Sequence, residues 1–180
     1  PANPYALGQM VAPSAYMEMR HDIQAAMQRG RTQWVKVESE FNKEFGRQYG
    51  DIEAVQCDDA DVVMVVSGTV CSTCRQALND LRCQGEKVGM LKIKMLRPFP
   101  MERISTVLGQ IPKVAVIDRN CSFGAGGIFA QEIRSALCNL NPAPQVFSYV
   151  AGLGGRDITP NTVVDIYHRT KESSQPELES

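Results

Sequence analysis

Two cysteines separated by two residues, Cys71 and Cys74 in VVMVVSGTVCSTCRQAL, stand where an apolar run ends and an amphipathic one begins. At a helix start, such a pair is the arrangement of a disulfide oxidoreductase. The helix dipole lowers the first thiol's pKa, and the thiolate is the reacting species. The same letters would also serve as half of a zinc or iron–sulfur site. A third reading is a turn that carries small residues. The remaining cysteines, Cys57, Cys83, Cys121 and Cys138, are too scattered to complete a metal site. Reactive pairs of this kind usually have an aromatic residue and a proline nearby, whereas Val70, Ser72, Thr73 and Arg75 are the neighbours here. The turn reading is preferred, Cys71 and Cys74 are kept as redox candidates, and no metal site is assigned.

The second kind of chemistry on offer is anion binding. Glycine-containing turns recur in SGTVCST, NCSFGAGG and AGLGGRDIT. In the middle one, Gly124, Gly126 and Gly127 open a helical pattern whose backbone amides could cradle a phosphate. No Gly-Lys-Ser/Thr follows, and the dinucleotide G-x-G-x-x-G spacing fails. Positive φ and close helix–strand packing are the preferred explanation of these glycines, since a lone glycine-rich turn is weak evidence of a ligand. In the last turn Gly154 and Gly155 are followed by Arg156 and Asp157. Arg156 offers a fixed fork of donors for a carboxylate or phosphate, either inside the domain as a latch to Asp157 or a carbonyl, or across an interface. These seven residues are the candidate interface or anion-binding set. His21 and His168 are the only histidines, and Glu18, His21 and Asp22 read as a solvated cluster on one helix face. No nucleophile elbow is present, so no catalytic residue is assigned.

These residues must be positioned by a chain of 180 residues with 43% hydrophobic composition, enough for one core plus an appendage. With 19 basic and 20 acidic residues there is no basic face for nucleic acid. Apolar runs are strand-sized, so no membrane span is expected. The start, PANPYALGQM, has neither a charged nor an apolar leader region, and it lacks an initiator Met. A cytoplasmic protein with reduced thiols, processed or excised from a longer chain, is the expectation.

From Pro13 to about Gly46, Tyr16, Met19, Ile23, Met27, Trp34, Val37, Phe41 and Phe45 recur at helical spacing. Ser14 is the expected cap and Gly30 the expected kink or break. Such a helix is too long to serve its own core alone, so it lies across a neighbouring domain or partner. From Asp51 the rhythm alternates strand and helix: 52–56, DVVMVVSG, a helix from Ser72 to Cys83, and VGMLKIKML. Then follow Met101–Leu108, KVAVIDR, a helix from Ile128 to about Leu140, QVFSYVAG, and a helix begun by Thr159 and Pro160 that runs to His168. Alternation of this kind predicts a parallel, doubly wound, three-layer α/β/α domain over residues 51–170. Residues 1–50 form the N-terminal segment and long linker helix, and the polar tail 171–180 is expected to be disordered.

PSAYMEMR, LRPFP, VAVIDRNCSFGAGG and above all YVAGLGGRDIT resemble, in order, the C-terminal half of the alpha subunit of pyruvate:ferredoxin oxidoreductase and its relatives. The resemblance runs from about residue 11 to residue 168. It implies a transketolase C-terminal-like domain with a mostly parallel five-stranded sheet, whose first strand, residues 52–56, is antiparallel at an edge. It also implies an enzyme converting a 2-oxoacid, with pyruvate expected, and coenzyme A to acyl-CoA, carbon dioxide and reduced ferredoxin. Thiamine diphosphate, Mg2+ and 4Fe-4S clusters belong to that holoenzyme, and none is expected on this segment alone, which is expected to be inactive in isolation. The implied partners are a thiamine-binding beta subunit, gamma and ferredoxin-like delta subunits or their fused equivalents, and ferredoxin through the holoenzyme. Three function classes stay open: a scaffold and interface domain, a coenzyme A- or nucleotide-binding module using the glycine turns, and a thiol–disulfide protein.

Overall fold

The structure, a computed structural model, describes Gly8 and residues 10–176. The expectations about the leader fall mostly on residues 1–7 and 9, and part of the tail expectation falls on 177–180; these lie outside the described residues. The chain divides into two compact units, Pro1–Gln48 and Tyr49–Ser180.

Among its described residues the first unit holds one helix, α1 (Pro13–Phe45), of 33 residues. The helix runs unbroken through Gly30. A single glycine costs a helix only about 1 kcal/mol, and good helix formers precede it. The cap is not Ser14: Ala12 holds the N-cap position in extended conformation, with Pro13 at the first helical position. A residue before proline is pushed out of the helical region, which puts the cap two residues before Ser14. At the other end Gly46 turns left-handed and its amide donates to the Asn42 carbonyl. No residue of α1 is buried.

The second unit contains β1 (Ile52–Val55), β2 (Val62–Ser67), α2 (Val70–Cys83), β3 (Val88–Ile93), α3 (Met101–Leu108), β4 (Lys113–Asp118), α4 (Ile128–Leu137), β5 (Gln145–Val150), a short 3-10 turn (Leu153–Gly155) and α5 (Pro160–Glu172). The sheet order is β1-β3-β2-β4-β5. Only β1 runs antiparallel, pairing Ile52 with Ile93, and it lies at an edge. The apolar runs form the interior strands because strands covered on both faces need no polar side. Alternation of side chains divides the core. Val62, Met64 and Val66 join Leu78, Leu81 and Tyr167 under α2 and α5. Val63 and Val65 join Ile104, Leu108 and Ile133 under α3 and α4. The result is the expected three-layer α/β/α arrangement.

Ion pairs and capping bonds fix the edges and the end of the chain. On β1, Glu53 meets Arg75 of α2 and Lys94, whose ammonium lies 2.9 Å away and holds the Glu53 carboxyl below its usual range. Beside β5, Arg134 of α4 donates to the Val146 carbonyl at 3.3 Å. Thr159 and Thr162 form the capping box of α5. The tail differs from expectation. Lys171 and Glu172 complete α5, and the Lys113 ammonium donates to the carbonyls of Lys171 and Ser173 at 2.6 and 2.7 Å. Gln145 donates to the Ser174 carbonyl at 3.0 Å. A cation placed on the orphan carbonyls of a helix end orders residues that a polar composition would otherwise leave loose. Replacing that ammonium in Lys113→Met is expected to cost the chain about 1–2 kcal/mol in urea unfolding. It should also raise hydrogen exchange in the last turn of α5 while leaving α4 unchanged.

Candidate functional site at the carboxyl edge of the sheet

Strand order reverses between β2 and β4, and in open α/β sheets the crevice outside the carboxyl ends of such strands is where ligands bind. The loops of interest all start there: Gly68–Thr69 after β2, Arg119–Gly127 after β4, and Ala151–Ile158 after β5.

The β4 loop is built on Asp118. Its carboxylate is fully buried at the strand end and accepts bonds from the amides of Phe129 and Ala130, both at 3.0 Å, and from the Asn120 side chain at 3.0 Å. Asn120 in turn accepts from the Ile128 amide at 2.9 Å. The first three amides of α4 are therefore held by side chains of the same chain. Burial pushes the Asp118 carboxyl up, and the two amides and Asn120 oppose that rise. Gly127 is required by this arrangement, because a Cβ there would overlap the Asp118 carboxylate. Between Asn120 and Gly127 the loop closes as a small hairpin: Ser122 donates to the Gly126 carbonyl at 2.8 Å and receives the Gly126 amide at 3.0 Å. Gly124 and Gly126 supply its positive φ values of 80° and 79°. At its tip Phe123 is 97% exposed. The place a phosphate would take at the start of α4 is thus filled by the protein's own carboxylate, and the glycines serve the turn and the close packing that the sequence favoured.

Arg119, the next residue, donates to the Thr69 hydroxyl at 3.2 Å and so bridges the β4 and β2 loops across the crevice. Its guanidinium also lies near Gly152, where an added Cβ would come within 3.1 Å of Arg119 and 2.8 Å of Ile158. In the β5 loop Gly154 and Gly155 take φ values of 63° and 84° and turn the chain outward. Leu153, Arg156 and Asp157 are exposed. Among the described residues the Arg156 and Asp157 side chains have no hydrogen-bond or ion-pair partner. The internal latch that the sequence allowed is not formed.

Cys71 and Cys74 lie in the first turns of α2, 3% and 1% exposed, both with free thiols. Burial raises both, and the Cys74 thiol is pushed up to about 12. The helix dipole does not prevail here, because both sulfurs face the apolar layer under α2 rather than water. Among the described residues no group of three or more His, Cys, Asp and Glu is arranged to hold a metal. The start of α4 does not fit a diphosphate, since its first three amides are engaged. Surface depressions of about 360 and 700 Å³ lie at the opposite end of the sheet, near the starts of β4 and β5.

The structure therefore brings the β2, β4 and β5 loops together, but around Asp118, Asn120, Arg119 and Thr69, which the sequence did not single out. An acidic residue ending an apolar strand, followed within ten residues by glycine and a helix, was the available signal. Phe123 had none beyond being an aromatic residue among glycines.

Comparison with known proteins follows the same lines. Residues 60–163 match the family described as pyruvate:ferredoxin oxidoreductase core domain II. The chain is 40% identical over 171 residues to the pyruvate synthase subunit PorA of Methanothermobacter thermautotrophicus, covering 95% of this chain and 44% of the relative. It is 38% identical to the ketoisovalerate oxidoreductase subunit VorA of Pyrococcus abyssi, covering 94% and 43%. The chain thus spans less than half the length of these relatives. Among solved structures, the 2-oxoglutarate:ferredoxin oxidoreductase of Magnetococcus marinus superposes with a TM-score of 0.53 at 21% identity, covering 89% of this chain and 24% of that one. A split-gene transketolase gives 0.54 at 16% identity, covering 69% and 43%. Both likenesses concern the fold.

Two outcomes are expected from this geometry. Gly127→Ala forces the Asp118 carboxylate off the α4 amides and should destabilise the chain by about 2–4 kcal/mol in chemical unfolding. The second concerns pH. The folded Cys74 thiol keeps its proton to about 12, whereas the thiol ordinarily ionises near 9.0. The unfolded chain therefore releases this proton first, and stability falls as pH rises between those values. Cys74→Ala should show a shallower alkaline decline than the parent in thermal melts taken across that window.

Proposed function

The chain belongs to the pyruvate:ferredoxin oxidoreductase core domain II family, and from that premise we propose that it is the scaffold and interface portion of a 2-oxoacid:ferredoxin oxidoreductase. That enzyme converts a 2-oxoacid and coenzyme A to acyl-CoA and carbon dioxide, with electrons passing to ferredoxin. Similarity to a pyruvate synthase subunit supports pyruvate as the 2-oxoacid. Thiamine diphosphate supplies the decarboxylation chemistry and 4Fe-4S clusters carry the electrons. In this reading those groups, with Mg2+, sit on other domains or on thiamine-binding beta, gamma and ferredoxin-like delta subunits of a cytoplasmic complex. Residues 51–170 act as the scaffold domain and residues 1–50 as the connecting segment.

One observation carries the reading: the carboxyl-edge crevice is closed by Asp118, Asn120 and the Arg119–Thr69 bond, while the loop tips beyond it present unpartnered groups. A small-ligand site would keep its donors free and inward. Here Phe123, Leu153 and Arg156 point away from the domain on loops braced from behind. Aromatic residues and arginine are the side chains that anchor protein interfaces. At the α4 turn the coenzyme A-binding alternative lacks free amides, and the thiol–disulfide alternative lacks a reactive thiolate at Cys71; at the β5 loop Arg156 alone would have to hold the anion.

The test is assembly. Phe123→Ser and Arg156→Ala should each leave the chain folded, with a loss of no more than about 1–2 kcal/mol. Each should weaken association with the thiamine-binding subunit by about tenfold, the scale of an interface hot spot, as read by sedimentation. The chain alone, given pyruvate, thiamine diphosphate, Mg2+, coenzyme A and an electron acceptor, should release no carbon dioxide above a protein-free control. Normal assembly combined with a tenfold loss of coenzyme A affinity in either variant would replace the interface reading by the binding-module one.

A further inference from the structure

The sequence of α1 aligns with relatives, yet it lies outside the matched family domain. The domain match begins at residue 60, whereas the alignment to the Methanothermobacter subunit covers 95% of the chain and so takes in α1. The apolar residues of α1 are not randomly placed. At 100° per residue, Tyr16, Ile23, Met27, Trp34, Val37 and Phe45 fall within an arc of about 80°. Glu18, Asp22, Arg29, Lys36 and Glu40 fall on the opposite side. The stripe is open to solvent, with Ile23 45% and Phe45 60% exposed. No side chain of α1 is buried among the described residues.

Spacing and length indicate what covers this face. Including Gly30, the stripe advances by about 3.6 residues per step, so it runs straight along the helix instead of winding as a 3.5-residue repeat does. Two copies of such a stripe would diverge after a short crossing and leave the ends uncovered. From residue 16 to residue 45 the stripe is roughly 43 Å long, more than the width of a domain of about 100 residues. A loop or a short peptide covers only part of it. The body that fits is a domain-sized apolar surface, and the relatives carry more than half of their length outside the aligned stretch.

Resting on the assembly reading above, we propose that the apolar stripe of α1 is a docking face for the portion of the oxidoreductase subunit that the relatives carry beyond the aligned stretch. That occupant presents an apolar surface of low charge, into whose contact Gly30 opens a notch at mid-stripe. The probe is that portion of the Methanothermobacter PorA subunit, co-expressed with the tagged 180-residue chain. The parent should co-purify with it in equal amounts. The double variant Ile23→Glu, Trp34→Glu should lower recovery by about tenfold or more, in line with the loss of interface anchors. The thermal transition of the α/β unit should stay unchanged in that variant. Equal recovery of parent and variant, or failure of the parent to co-purify, overturns the proposal. So does a dimer of the chain alone that the double variant dissolves. Because association with the thiamine-binding subunit is read separately through Phe123 and Arg156, loss of one result leaves the other standing.

Discussion

A single buried carboxylate decides what the carboxyl edge of this sheet can be. Asp118 ends the β4 strand with no exposure and takes two amides of α4. The positive end of a helix dipole and unsatisfied amides normally invite an anion from solution. Here the anion is covalently part of the strand. The consequences spread outward. Gly127 must lack a side chain, Asn120 must complete the cap, and the intervening residues must close into the Ser122–Gly126 hairpin. The loop that in other α/β proteins receives a phosphate becomes a rigid support for whatever stands at its tip.

The strands were legible because each is a short apolar run between turn residues, and the α5 cap was legible because Thr159-Pro160 is a local signal. The antiparallel edge strand came from the family resemblance, since the four residues of β1 carry no mark of direction. What escaped were features that depend on where the chain returns. Asp118 reads as the polar end of VAVID until the nine-residue approach to α4 brings amides onto it. Lys113 reads as a strand's first residue until α5 delivers its carbonyls. Gly30 invited a break by composition, but the good helix formers that precede it carry the helix through. In the candidate site, Arg156 and Asp157 were legible as a charged pair on a glycine turn, and their exposure and lack of mutual pairing were not.

The two cysteines show how burial outranks local electrostatics. A position in the first turn of a helix favours a thiolate, yet the α2 helix faces its first turn into the core shared with Val66, Ile117 and Tyr167. Removing water from sulfur costs the anion more than a helix terminus returns. C-x-x-C at a strand–helix junction therefore has two outcomes, set by which way the helix is rolled. That roll follows from Ala77, Leu78 and Leu81, whose burial is fixed by the apolar pattern further along.

The sheet's outer margins bear on how the protein behaves in a crowded solution. A bare strand margin is a template on which a second chain can add a strand, the first step of ordered aggregation. One margin here is only four residues long and carries Glu53 clasped by Arg75 and Lys94, so a passing peptide meets charge before it meets backbone. The other carries the apolar QVFSYV strand, and there Arg134 reaches over from α4 to take the Val146 carbonyl. Salt bridge and capping arginine, which look like fastenings within one molecule, also act as refusals between molecules.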